Sequence, residues 1–190
     1  MLMDALQNGP TWYQDYGLDG MQYGAKQVFT RTSEIARTES ETTVFVSSTW
    51  ANGTDVLMRF FADDLPNLQM GNINAFGLSY KPLTRDFLFI MTEDDRNWIE
   101  ESGKFRNVSI EETLLYPDGT TGFYFVRLEY VPNIKEILEA EREARQALLS
   151  DVVIWQGEGV TVSYPTLDIN EIKHAFDGDP TTLIRTLEAN

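Results

Sequence analysis

The residues best placed for chemistry lie in one stretch, Thr42–Phe61, TTVFVSSTWANGTDVLMRFF. Ser48, Thr49, Asn52 and Asp55 can give hydrogen bonds, and Trp50 offers a stacking face. They fall between an apolar β-branched run and a helical pattern, and ligands of α/β proteins gather at such strand-to-helix junctions. If the strand is parallel, the backbone N–H groups of the following helix face its C-terminal crevice and suit an anion or a sugar hydroxyl. No GxGxxG or GxxxxGK[ST] pattern is present, which argues against a nucleotide. The same residues also read as an ordinary capped turn, with Asn52 or Thr54 as the cap.

Other groups are weaker chemically. The acids Asp63-Asp64, Glu93-Asp94-Asp95, Glu100-Glu101 and Glu111-Glu112 are sequence neighbours. A glycosidase needs two carboxylates facing each other across a cleft, about 5–10 Å apart. Adjacent acids do not supply that geometry, so these read as surface and helix-start charges. A two-carboxylate site drawn from Asp55, Asp63 and Glu93 is the enzymatic alternative. Asp168, Asn170, Asp177 and Asp179 are oxygen donors suited to calcium, without the EF-hand spacing. Their other reading is turn formation and capping. His174 is the sole histidine, and beside Ala175 and Phe176 it reads as structural. Asn52-Gly53-Thr54 and Asn107-Val108-Ser109 match glycosylation acceptors, a pattern common by chance. No metal and no cofactor is expected.

Composition narrows the classes. The 190 residues carry 15 Lys+Arg against 30 Asp+Glu, a formal charge of −15. Such a field repels phosphate backbones, so nucleic acid is not an expected partner. With 42% hydrophobic residues the chain can build a core. The absence of cysteine excludes disulfides and thiolate chemistry. No apolar run approaches the roughly 20 residues of a membrane span. The start lacks the features of a signal peptide, so a soluble chain is expected.

The elements that must position these residues follow from periodicity. Residues 1–16 read as a lead-in, with Trp12, Tyr13 and Tyr16 packing on the domain or lying near a membrane surface. Leu18, Met21, Ala25, Val28, Phe29, Thr32, Ile35 and Ala36 share a helix face that ends near Ser40. Gly20 and Gly24, four apart, allow a close backbone approach. Thr43–Ser47 reads as a strand buried on both faces. The helix after the loop runs to Ala62, with Val56, Leu57, Phe60 and Phe61 inward. Asn72–Ser79 and Asp86–Met91 read as further strands. Thr92 and the following acids open a helix that Gly103 stops. Val108–Tyr116 and Phe123–Tyr130 form a hairpin about Pro117-Asp118-Gly119, the second strand interior. A helix follows from Ile134 to about Leu149, then a hairpin of Val152–Trp155 and Val160–Tyr164 about Gly157-Glu158-Gly159. Two short helical patterns close the chain. The expectation is an α/β fold, a three-layer Rossmann-like mixed sheet with helices on both faces, over residues 17–150. A C-terminal hairpin and short helices over 151–190 form an appendage.

Four phrases carry a resemblance: GPTWYQDYGLDGMQYGAKQVF, STWANGTDVLMRFF, YPDGTTGFYFVRLEYV and AFDGDPTTLIRTLEAN. Together they resemble the soluble C-terminal region of bacterial polytopic glycosyltransferases of the dolichyl-phosphate-mannose protein mannosyltransferase-like class. The resemblance covers most of the chain and rests on phrases, without a catalytic signature. It implies a parent chain with membrane helices before Met1, and a domain at the extracytoplasmic membrane face whose partner is that membrane portion. It also implies lipid-linked sugar donors, with the catalytic acids in membrane loops that this chain lacks. The expected function is then accessory and non-catalytic, positioning a glycan or protein acceptor, with the fragment inactive alone. A purely structural or assembly module is the remaining alternative. Residues 175–182, AFDGDPTT, also resemble the opening of discoidin-like carbohydrate-binding modules, which have Trp where this chain has Ile184.

Overall fold

The computed structural model describes residues 24–51, 53–62, 64–116 and 119–186. The expectations for Trp12, Tyr13, Tyr16, Leu18, Gly20, Met21, Asn52, Asp63, Pro117 and Asp118 therefore lie outside the described residues. The chain divides into two compact units, one ending at Ile134 and the other beginning at Lys135.

The first unit is a mixed α/β fold. In order it holds α1 (Ala25–Thr38), β1 (Thr43–Val46), α2 (Thr54–Phe61), β2 (Leu68–Met70), α3 (Asn74–Leu78), β3 (Phe87–Met91), α4 (Glu93–Ser102), β4 (Phe105–Leu115) and β5 (Thr121–Tyr130). Five strands form one sheet in the order β2-β1-β3-β5-β4. β1 runs parallel to both β2 and β3, while β5 is antiparallel to β3 and to β4. The register sets Val46 beside Met70 on one side and beside Ile90 on the other.

Strand periodicity divides the core. Successive side chains of a strand point to opposite faces, so Leu88 and Ile90 join one cluster while Phe89 and Met91 join another. The first cluster takes Val28, Phe29, Ile35 and Ala36 of α1, with Leu57, Met58 and Phe61 of α2 packed against it. The second takes Ile73 and Phe76 near and in α3, Ile99 of α4, and Val126 and Leu128 of β5. The interior position expected for β5 is found, because it pairs on both edges.

Several expectations need correction. Residues 72–79 are not a strand: the edge strand is Leu68–Met70, and Asn74–Leu78 is a short helix. Ile73 and Phe76, three apart, reach one cluster from a helical turn. Thr54 does not cap α2; Gly53, with φ 67°, precedes the helix, and Thr54 is its buried first residue. On α2 the inward face is Leu57, Met58 and Phe61, whereas Val56 and Phe60 are 60% and 78% exposed. A two-turn helix apolar on several sides does not declare its buried face. Gly24 does permit a close approach, but of the Phe123 ring and not of a backbone.

The second unit holds α5 (Ile134–Gln146) and a hairpin of β6 (Leu149–Trp155) with β7 (Glu158–Tyr164). It closes with a 3-10 turn (Ile172–Phe176) and a small pair, β8 (Leu167–Ile169) with β9 (Arg185–Thr186). The hairpin turn is Gln156-Gly157, with φ 53° and 86°, one residue earlier than the glycine pattern suggested. Two positive φ values are what a two-residue hairpin loop of matching twist demands. The second helical pattern at the end of the chain is not a helix where it is described: Arg185–Thr186 is a two-residue strand. No helix among the described residues is long and apolar enough to cross a membrane.

One pH effect follows from β5. The Tyr130 hydroxyl donates to the Phe76 carbonyl at 2.7 Å, tying β5 to α3. Burial pushes its phenol up from 10.0 to about 12, with the Tyr80 neighbour adding to the rise. The neutral phenol is thus favoured by folding. Its contribution is complete below pH 10, the unfolded value, and is lost as pH rises through about 12. Urea midpoints measured from pH 9 to 12 should fall less steeply for Tyr130→Phe than for the parent. Equal slopes would deny Tyr130 this role.

Candidate functional site

β1 and β3 lie side by side, yet the chain leaves their C-terminal ends in opposite directions. From β1 it passes through α2 to β2 at the sheet edge, and from β3 through α4 to β4 at the other edge. At such a switch point the connections diverge and leave a crevice beyond the strand ends. A crevice of about 1090 Å³ opens there. Thr49 and Trp50 form its wall after β1, and Thr92–Asp95 with Trp98 form its wall after β3. Tyr116 and residues 119–122 close it from the β4–β5 turn, and Tyr124 of β5 and Asn74 of α3 also line it.

A polar network holds the two strand ends together. Asn72 Oδ1, just past β2, accepts from the Ser48 backbone N–H at 2.7 Å and from the Ser48 and Ser47 hydroxyls at 3.2 Å each. Ser47 Oγ lies 2.9 Å from Thr49 Oγ1, which donates in turn to Asp95 Oδ2 at 3.4 Å. Asp95 also accepts from the Thr92 N–H and hydroxyl at 3.5 Å, closing the capping box of α4. Its side chain is buried, and buried polar groups need hydrogen bonds such as these. Glu93 and Asp94, in the first turn of the same helix, are exposed on the crevice wall. Acids there complement the helix dipole.

The aromatic groups divide between packing and wall. Trp50 packs edge-on against Phe123 at 5.1 Å and lies 6.1 Å from Phe29, so the core holds its ring. Its Nε1 is buried without a partner, as is Asn74 Oδ1. Trp98 is tilted against Phe105 at 6.0 Å. The Arg96 guanidinium lies 5.4 Å from the Tyr124 ring centre.

The residues singled out in the sequence are therefore scattered. Thr49 and Trp50 line the crevice. Ser48 stands beside it, with its N–H and hydroxyl turned to Asn72. Asn52 is outside the described residues. Asp55 is exposed, pairs with Arg59 at 3.0 Å, and is not on the crevice wall. The start of α2 does not line the crevice either. Sequence reasoning missed Asn72, Asn74, Trp98, Tyr116 and Tyr124 as site residues, and read Thr92–Asp95 as a cap with first-turn acids, of which Glu93 alone entered the two-carboxylate alternative. Their signal was position: Asn72 follows β2, Tyr116 follows β4, Asn74 and Trp98 sit in the helices after β2 and β3, and Tyr124 lies early in β5.

The oxygen donors weighed for calcium are engaged within the chain, Asp168 across the β8–β9 pair and Asp177 and Asp179 in turns. Asp168 pairs with Arg185, and Asn170 donates to the Leu183 carbonyl at 2.6 Å. Asp177 accepts from the Asp179 N–H, and Asp179 from the Thr181 N–H, each at 2.8 Å. Among the described residues no group of three or more acids and histidines is placed to hold a metal. His174 Nδ1 accepts from the Glu171 N–H at 3.4 Å, in line with a structural part. No family model matches this chain, and no curated protein and no solved structure is significantly similar to it.

Proposed function

We propose that this chain is a non-catalytic, carbohydrate-binding accessory domain, whose crevice beyond β1 and β3 holds a glycan or a glycan-bearing acceptor. The observation that carries this reading is the makeup of that crevice. Trp98, Tyr116 and Tyr124 offer aromatic surface, and threonine hydroxyls and carboxylates offer hydrogen bonds, in a space of about 1090 Å³. Concave sites with aromatic walls and a few converging polar groups are where small polar ligands bind. The two core clusters, one fed by α1 and α2 and the other by α3 and α4, support a three-layer Rossmann-like arrangement.

The sequence phrases extend the proposal to a parent protein. It is a bacterial membrane glycosyltransferase, with this domain at the extracytoplasmic face beside the parent's membrane portion. There the crevice presents an acceptor to an active site located elsewhere in the parent. Asp55 stands apart from Glu93's crevice wall and pairs with Arg59, which favours an accessory role over a two-carboxylate hydrolase.

Calorimetric titration of the chain with neutral oligosaccharides tests the reading. Binding is expected, and Tyr124→Ala should weaken it by about tenfold, equivalent to roughly 1.4 kcal/mol. Hydrolysis of the glycans would favour the enzymatic alternative. Absence of binding across the panel would leave a structural or assembly module.

A further inference from the structure

The crevice wall is one-sided in charge. Glu93, Asp94 and Asp95 line it, and no Lys or Arg is among the described residues that do. Asp95 is engaged by Thr49 and Thr92. Glu93 and Asp94 are exposed and form no ion pair among the described residues. Arg96, the cation on the same helix, bonds to Glu100 and Asn97 and lies over the Tyr124 ring, with its Nε buried and unpartnered. The whole chain, at −15, adds to the same field. Trp50 and Asn74, two residues of the wall, each also hold a polar atom, Nε1 and Oδ1, that is buried without a partner. Groups in that state cost free energy unless something bonds them.

We infer that the crevice sorts glycans by charge, taking neutral and amine-bearing sugars and turning away those that carry a carboxylate or phosphate. This rests on the glycan-binding reading above and adds the class of sugar. An anion entering the crevice meets two free carboxylates with no cation on the wall to offset them. An amine meets the opposite. At low salt such a pair of exposed charges shifts affinity by roughly tenfold.

The test titrates the full chain with methyl glycosides of glucose, galactose and mannose, and with their 2-amino, uronate and 6-phosphate forms. The uronates and phosphates should bind at least tenfold more weakly than the neutral parent in low-salt buffer. The gap should close to threefold or less near 1 M salt, where the Debye length shrinks to about 3 Å. The double variant Glu93→Gln/Asp94→Asn should lower the neutral-to-anionic affinity ratio at low salt to threefold or less. Its far-UV spectrum is recorded beside the parent's, and the salt series on the parent stands independently of it. Anionic sugars that bind as well as neutral ones, or a ratio that neither salt nor the double variant moves, would overturn the charge rule and leave the glycan site intact. Failure of every sugar to bind would overturn both.

Discussion

Phe89→Ala should destabilise the protein by about 3–5 kcal/mol, the usual cost of deleting a large aromatic side chain from a core. Phe89 lies in the middle of β3 and is 1% exposed. Its backbone neighbours across the sheet are Phe45 and Val126. Its ring stacks on Phe45 at 5.2 Å and meets Phe76 edge-on at 5.2 Å. Alanine would remove those contacts and leave a hole between α3 and the sheet. Ring pairs add about 0.5–1.5 kcal/mol beyond the buried area. A domain's whole stability is about 5–15 kcal/mol, so the loss is a large fraction of it. In urea the midpoint should fall steeply while the slope stays constant. Phe60→Ala is the contrast: Phe60 is 78% exposed, and its change should stay within about 0.5 kcal/mol. Equal effects at the two positions would contradict the assignment of core and surface.

Gly24→Ala should cost about 2–4 kcal/mol, from two sources that act together. Gly24 precedes α1 with φ 100°, where an L side chain is strained. A Cβ there would stand 2.4 Å from Phe123 Cε2 and 2.8 Å from Cζ. Phe123 is 1% exposed and has little space to retreat. Its ring contacts Trp50 at 5.1 Å and Tyr116 at 5.9 Å, and both of these line the crevice. A displaced Phe123 therefore disturbs the site as well as the core. The melting temperature should drop by about 5–15 °C, at roughly 2–4 °C per kcal/mol for a chain of this size. Tryptophan fluorescence should change with it. Gly103→Ala isolates the backbone part, because Gly103 has φ 64° and a Cβ added there would meet nothing within 4 Å. A smaller loss for Gly24→Ala than for Gly103→Ala would remove Phe123 from the account.

What was legible in the sequence follows from signal length. Thr43–Val46, Phe87–Met91 and the β4–β5 hairpin announce themselves through apolar runs or a Pro-Asp-Gly turn. Thr92 and Gly103 mark α4 at both ends through cap chemistry. β2 is three residues at the sheet edge, too short to show alternation. The apolar residues Ile73 and Phe76 beyond it draw the strand reading onto a helix. The site was half legible for a different reason. Thr49 and Trp50 follow a strand that the sequence makes recognisable, but their companions come from residues 92–98 and 116–124. Those segments meet because β3 and β5 are neighbours in the sheet, and strand order is a long-range property that no local pattern encodes. Thr92–Asp95 do form the cap that their residue types imply. That the same residues also form a crevice wall depends on what faces them.

Chemical-shift mapping of a neutral oligosaccharide on the isotopically labelled chain tests the central claim most directly. The glycan-crevice account predicts dose-dependent shifts of the Trp98 indole N–H and of backbone amides at 49–50, 92–98 and 119–124, with residues 135–190 unaffected. No shifts at millimolar glycan, or shifts confined to residues 135–190, would contradict it.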